Sequence, residues 1–363
     1  MASHGVPRVA GSGSRDTAKE QKKIQEYQSL VELVNAKISE REYTIEVLAL
    51  TTKLLSKNPE YYTIWNHRRL ILQHQFTEEP STSETTEDNQ LPPKQQRILD
   101  LISDDLRLLV GLLIEFPKCY WIWNYRRWLL EEAEQRLPTA VAVSFWQKEL
   151  GLVSKMLARD ERNFHGWSYR RTVVASLERL SEKSGARVSM VEDEFAYTTK
   201  MIYSGLKNFS AWHNRSKLIP RLLDERKADN VARRKMLDEE LELIQTALTD
   251  PFNQSAWDYH AFLMGTISPN SSVETVIVRD FTNHDRVIYF EREMDRIKEM
   301  LQVDEDCKFI YLALLQYAAT YLDIEGGNKY VTTREMRDWL AKLRELDTLR
   351  RGRWDDLESK LHL

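Results

Sequence analysis

Cysteine is nearly absent from this sequence: Cys119 and Cys307 are the only two in 363 residues. Two isolated cysteines build neither a disulfide framework nor a CxxC metal site, and they suit a reducing compartment. Glycine and proline are scarce, at 12 and 10 residues. That scarcity disfavours a turn-rich all-β protein and fits helices joined by short loops. No apolar run approaches the ~18 residues of a membrane span. The N-terminal stretch MASHGVPRVAGSGSRD has no hydrophobic segment. Neither a signal peptide nor a transmembrane helix is therefore expected, and a cytoplasmic location is. A formal net charge of −4 leaves no basic excess to neutralise phosphates, which argues against nucleic acid as a partner. The sequence contains no P-loop, GxGxxG, HExxH or GxSxG motif. The eight histidines have no metal-ligand spacing, and His4 falls in a tail (1–16) expected to be disordered. Apolar residues make up 42% of the chain and charged residues 30%, so a real core can be buried beneath a charged surface.

Tryptophan, by contrast, is abundant, and its placement carries the organisation. Trp65, Trp123, Trp167, Trp212 and Trp257 sit in related segments, among them NPEYYTIWNHRRLIL, FPKCYWIWNYRRWLL and DERNFHGWSYRRTVV. The last three intervals are 44, 45 and 45 residues, and the first is 58. A polar, Ser/Thr/Glu-rich stretch with three prolines, 77–95, accounts for the excess and reads as a disordered insertion. A period in the forties means stacked supersecondary units. Each unit reads as two helices, an apolar-periodic one ahead of the motif and a second that carries the tryptophan near its start. Asn58-Pro59 and Asp250-Pro251 read as helix-start signals. A helix over 17–40 precedes the first motif. Residues 285–320 read as a sixth pair without its tryptophan, and 332–363 as a closing helix with a Thr332/Glu335 capping box. The expected fold is all-α: a right-handed superhelical solenoid, or crescent, of antiparallel helix pairs over 17–331.

Positions counted from each tryptophan separate packing from chemistry. Three residues after it stand Arg68, Arg126, Arg170, Arg215 and His260. The tryptophans are expected to wedge between helices, and each arginine to pair with an acidic residue on a neighbouring helix, where a planar fork serves better than a lysine. Five residues before the tryptophan the series is Glu60, Lys118, Arg162, Lys207, Phe252. Two before it the series is Thr63, Trp121, His165, Ser210, Ser255. Lys118, Tyr120 and His165 therefore fall at one connection level, where a cation, a phenol and an imidazole could receive an anionic leaving group. Spacing alone leaves open that they are ordinary solvated loop residues.

Five copies of this tryptophan motif, four of them reading aromatic-x-x-W-x-x-R, at this period resemble the repeat of the protein prenyltransferase α-subunit family, over roughly residues 20–320. DERNFHGWSYRR, NFSAWHNRS and DPFNQSAWDYH are most similar to its type II, Rab geranylgeranyl branch in compact, fungal-like form, lacking the immunoglobulin-like and leucine-rich domains of some members. The resemblance implies an obligate heterodimer in which this subunit cradles a β subunit holding the catalytic zinc and the lipid pocket, so that no cofactor or metal is bound here. It implies transfer of geranylgeranyl from geranylgeranyl diphosphate, bound at the subunit interface, to C-terminal cysteines of Rab GTPases presented by an escort protein. It also implies that Lys118 reaches the diphosphate, with Tyr120 and His165 lining the same site. Phe164 replaces the tyrosine of the farnesyl-type subunit, so no hydroxyl role carries to that position, and Cys119 has no implied catalytic role. Two alternatives stay open at this point: the α subunit shared by farnesyltransferase and the type I enzyme, and a non-catalytic helical-repeat adaptor.

Overall fold

The computed structural model describes residues 17–78, 91–324 and 330–363. The tail with His4, and most of the expected 77–95 insertion, lie outside the described residues. The two ends of that insertion are helical instead: Thr77 closes one helix, and Pro93 to Gln95 form the first turn of the next. Pro93 can open a helix because the N–H it lacks would have had no partner there.

The chain divides into two compact units, residues 1–188 and 189–363. The first unit contains α1 (Thr17–Ser39), α2 (Ile45–Lys57), α3 (Tyr62–Thr77), α4 (Pro93–Glu115), α5 (Tyr120–Arg136), α6 (Thr139–Arg159) and α7 (Phe164–Lys183). The second contains α8 (Val191–Ser204), α9 (Phe209–Glu225), α10 (Asn230–Leu248), α11 (Gln254–Ile267), α12 (Asn283–Met300), α13 (Lys308–Leu322), α14 (Thr333–Leu346) and α15 (Arg351–Leu361). Among the described residues there is no strand. In unit 1, α2/α3, α4/α5 and α6/α7 pack as pairs, and the second helices α3, α5 and α7 pack on one another in sequence. In unit 2, α8/α9, α10/α11 and α12/α13 do the same, and α9, α11 and α13 pack on one another in sequence. The expected helix pairs, including the sixth, are present.

The junction inside each pair is one turn used six times. Its closing N–H···O bonds run from Tyr61 to Asn58, Cys119 to Phe116, Asn163 to Asp160, Asn208 to Gly205, Asn253 to Asp250 and Cys307 to Asp304. Asn58-Pro59 and Asp250-Pro251 are therefore turn residues, not helix starts. The helices begin three or four positions later, at Tyr62 and Gln254. Each tryptophan is the fourth residue of its helix and is buried. Its indole N–H donates to the carbonyl six residues back: Trp65 to Pro59 (2.8 Å), Trp123 to Pro117 (2.9 Å), Trp167 to Glu161 (2.8 Å), Trp212 to Leu206 (2.9 Å) and Trp257 to Pro251 (2.7 Å). The sixth pair keeps this anchor without a tryptophan, because the Tyr311 hydroxyl donates to Glu305 at 2.8 Å. A buried indole needs a partner for its N–H, and the turn supplies one in every repeat.

The same carbonyls explain the cysteines. The residue four before the anchor reaches back one repeat: Asn163 Nδ2 donates to Pro117 (2.9 Å) and Asn253 Nδ2 to Leu206 (3.1 Å). Cys119 and Cys307 occupy this same position and direct their thiols at Pro59 (3.5 Å) and Pro251 (3.0 Å). Burial pushes the Cys119 thiol up to about 11, so it is an inert donor and not a nucleophile. Cys119→Asn is accordingly expected to be tolerated, changing stability by no more than about 1 kcal/mol in thermal denaturation. Cys119→Val fills the site without a donor and is expected to cost more.

Arg68, Arg126 and Arg215 pair as expected. Arg68 meets Asp105 at 2.9 and 2.5 Å, Arg126 meets Glu149 at 2.5 and 2.6 Å, and Arg215 meets Glu240 at 2.7 and 2.6 Å. His260 replaces the arginine in the next repeat and meets Glu293 at 3.2 Å. Every carboxylate lies on the first helix of the following pair. The following tyrosine shares it: Tyr125 donates to Asp105, Tyr169 to Glu149 and Tyr259 to Glu240, at 2.6, 2.8 and 2.6 Å. Burial, then the adjacent carboxylate, holds all three phenols well above their usual range, so they remain donors.

The closing helix is two helices. The Thr332/Glu335 capping box forms at the start of α14, and Trp339 and Leu343 are buried, while Leu346 is half-buried. The helix stops at Asp347, whose backbone leaves the helical region (φ −133°, ψ 63°). The Asp347 carbonyl accepts from the buried Trp354 indole at 3.0 Å, and its carboxylate takes Lys308 at 3.0 Å. Arg344 then ties α14 to α15 through Asp355 and Glu358.

Candidate functional site

All three residues singled out by spacing lie in unit 1, at the turns that open α5 and α7. Lys118 is in the turn before α5 and Tyr120 is the first residue of that helix; His165 is the second residue of α7. The start of α7 is fixed by Asn163, whose side-chain oxygen caps the N–H groups of His165 (3.0 Å) and Gly166 (3.2 Å). This cap brings the imidazole to 6.0 Å from the Tyr120 ring, centroid to centroid, and to 3.9 Å from Phe164.

Exposure separates these residues from their packed neighbours. The Lys118 side chain is 74% exposed, and its Nζ lies 3.6 Å from Asp160. Tyr120 is 49% exposed, whereas Trp123 is 4%. Burial lowers the His165 pKa, opposed by its contact with the Lys118 main chain and by Glu60, so the ring is largely neutral at pH 7. Lys118 is then an exposed cation at this level, and the imidazole is a polar wall.

Tyr120 and His165 also face a small cleft of about 70 Å³ between α5 and α7, lined by Asn124, Arg127, Ser168 and Thr172 among others. Arg127 and Asn124 were not singled out by spacing. Each sits one residue past a motif position, Asn124 after Trp123 and Arg127 after Arg126, and an Arg-Arg pair gives no sign of which member faces out. The structure puts Arg126 inside and leaves Arg127 46% exposed beside Glu131. Among the described residues, no three His, Cys, Asp or Glu side chains come together as metal ligands.

One expectation is sharpened. Lys118 is not unlike all its siblings: Lys207, at the same position in unit 2, pairs with Asp250 at 2.7 Å just as Lys118 does with Asp160. What differs is the company. The residue after next is Phe209 instead of a tyrosine, and the residue from the next repeat is Ser255, whose hydroxyl is taken by the Lys207 carbonyl at 3.1 Å.

The aromatic residues three before each tryptophan are also not packing residues. Tyr62, Tyr120, Phe164 and Phe209 are 52%, 49%, 67% and 44% exposed. In unit 1, Tyr62 stacks on Trp121 at 5.4 Å and Trp121 meets Tyr120 edge-on at 5.2 Å. These three side chains form a short row of aromatic rings in unit 1.

Comparison with known proteins agrees with this architecture. The protein prenyltransferase alpha subunit repeat matches residues 45–75, 102–133, 146–177 and 191–222, each copy covering all or the later part of a first helix and most of its partner. The geranylgeranyl transferase type-2 subunit alpha of Candida albicans is 31% identical over 97% of this chain and 96% of its own length. The protein of the same name from Schizosaccharomyces pombe is 34% identical over 99% and 98%. Among solved structures, Candida albicans protein geranylgeranyltransferase-I complexed with GGPP shares the fold, with a TM-score of 0.60 at 19% identity over 93% of this chain and 91% of that one. A relative of this identity along nearly its whole length, on a fold of repeated helix pairs, places the chain in the family of geranylgeranyl transferase type-2 α subunits.

Proposed function

We propose that this chain works in the cytoplasm as the α half of a Rab geranylgeranyltransferase, and that Lys118, Tyr120 and His165 line the diphosphate end of its active site. The observation that carries the reading is the single level in unit 1 where an exposed cation, a half-exposed phenol and a neutral imidazole stand together. The partner is a β subunit, seated on the exposed aromatic edge, which supplies the lipid pocket and the zinc. Zinc, when bound there, activates the acceptor cysteine as a thiolate. This chain acts on the other end of the bond being broken. Negative charge builds on the diphosphate as it leaves C1 of the geranylgeranyl group. A lysine on a flexible stem meets that charge as a point cation, and a phenol O–H adds a directed donor. Substrates are the C-terminal cysteines of Rab GTPases brought by an escort protein.

The test is co-expression with candidate β subunits, followed by a lipid-diphosphate preference assay on the purified complex. A stable complex with a type II β subunit, preferring geranylgeranyl diphosphate and needing escort protein for Rab transfer, is expected. Recovery only with a farnesyl-type β subunit, or full transfer by this chain alone, would overturn the assignment.

A further inference from the structure

Tyr120 is held by a relay that starts one repeat earlier. Arg69, on α3, donates from Nη2 to the Asn124 side-chain oxygen at 2.6 Å and from Nη1 to Asn66 at 2.8 Å. Its guanidinium is itself braced over two rings, 5.6 Å from Tyr125 and 5.7 Å from Trp128. A guanidinium has donors only, so whichever end of the Asn124 amide faces it must be the oxygen. That settles the amide's orientation: Nδ2 faces the other way and donates to the Tyr120 hydroxyl oxygen at 3.2 Å. A phenol that accepts this bond keeps its own proton to give. Among the described residues no acceptor takes that proton, and Tyr120 lines the cleft that Arg127 and His165 also line. One repeat on, the residue corresponding to Tyr120 is Phe164, which has no hydroxyl to hold.

We propose that Arg69 and Asn124 are positioning residues that fix Tyr120 as a hydrogen-bond donor to the diphosphate oxygens. The inference rests on the placement of Tyr120 at the diphosphate end proposed above. Its content is that the donor is set before substrate arrives: no rotation of the phenol O–H is needed when charge develops, which is the condition under which such donors accelerate most. Neither residue touches the leaving group.

Asn124→Asp is the discriminating change. It is nearly isosteric and keeps an acceptor towards Arg69, but it cannot donate, so the Tyr120 proton turns inward to the new carboxylate. Single-turnover transfer from geranylgeranyl diphosphate is read on the αβ complex, with thermal stability measured alongside. N124D and Y120F are each expected to slow transfer roughly tenfold to a hundredfold, the range for a hydrogen bond to a charged group. The double variant N124D/Y120F is expected to be no slower than Y120F. Arg69→Ala, which frees the amide to flip, is expected to slow transfer only while Tyr120 is present. If N124D slows the enzyme equally with phenylalanine at position 120, Asn124 acts through something other than the phenol and the relay is wrong. If Y120F is slow while N124D is at the wild-type rate, the relay is wrong and the role of Tyr120 stands. A Y120F complex at the wild-type rate removes Tyr120 from the site, and the relay falls with it.

Discussion

Glu149→Ala is expected to cost about 3–5 kcal/mol, the range for removing one member of a buried ion pair. Glu149 on α6 accepts both arms of Arg126 and the hydroxyl of Tyr169, so three donors from two repeats converge on one carboxylate. The Arg126 and Glu149 side chains are 4% and 3% exposed. Without the carboxylate, the guanidinium keeps only the Leu106 carbonyl at 2.8 Å, and the Tyr169 hydroxyl is left buried without an acceptor. Much of the loss comes from these stranded donors and not from the missing attraction, which is why the pair must be broken from one side to see it. A loss of this size is a large fraction of the ~5–15 kcal/mol that holds a domain together. Thermal denaturation should fall by on the order of 10 °C. The contrasting change is Glu192→Ala, which breaks the pair with Arg226 whose side chains are 44% and 57% exposed. Its cost is expected to stay below about 1 kcal/mol because both charges remain in water. Replacing both buried partners, as in Arg126→Leu with Glu149→Met, should recover much of the loss. Equal stability of the Glu149→Ala and wild-type proteins would mean that the shared carboxylate is not what joins one repeat to the next.

This carboxylate shows where sequence reasoning reached and where it stopped. The tryptophan period and the arginine three residues on are local, and both were legible. So was the need for an acidic partner, since a buried guanidinium cannot stand alone. The partner's identity required a second register. Asp105, Glu149, Glu240 and Glu293 precede the following anchors Trp123, Trp167, Trp257 and Tyr311 by 18, 18, 17 and 18 residues. That spacing is visible once Tyr311 is known to stand in for tryptophan, which its carbonyl bond shows and its identity does not. Asn58-Pro59 was misread for a related reason: capping chemistry and turn chemistry use the same residues, and only the six-fold recurrence of the turn tells them apart. The 332–363 stretch reads as one helix, and its break at Asp347 depends on Trp354, seven residues on, and on Lys308, 39 residues back and outside any local window. The candidate site divides the same way. Lys118, Tyr120 and His165 could be aligned because they sit at fixed offsets from repeated tryptophans. Arg69 and Asn124 could not, because their contact spans 55 residues and depends on which face of each helix is turned outward.

The two halves of FPKCYWIWNYRRWLL thus carry different loads, and Lys118→Ala separates them. Removing this side chain should leave the fold as it was. Lys118 is exposed and its contact with Asp160 is long, so the pair contributes at most about 1 kcal/mol. Turnover of the αβ complex, by contrast, is expected to fall by ~10²–10³, the usual cost of deleting one preorganised donor to charge that develops in the transition state. The loss should appear in kcat with little change in the KM for the lipid diphosphate, because the cation matters most once the C–O bond has begun to break. Lys118→Arg should recover part of it, since the charge is restored but on a planar fork of different reach. The internal control is Lys207→Ala. It removes the same residue type from the same repeat position with the same kind of partner, Asp250, at a level that offers Phe209 and Ser255 in place of Tyr120 and His165. That variant should turn over at the wild-type rate. A Lys118→Ala complex with wild-type kcat would remove the lysine from the diphosphate site. Equal losses in both variants would show that positive charge along the edge matters generally, and that the level shared with Tyr120 and His165 has no special role.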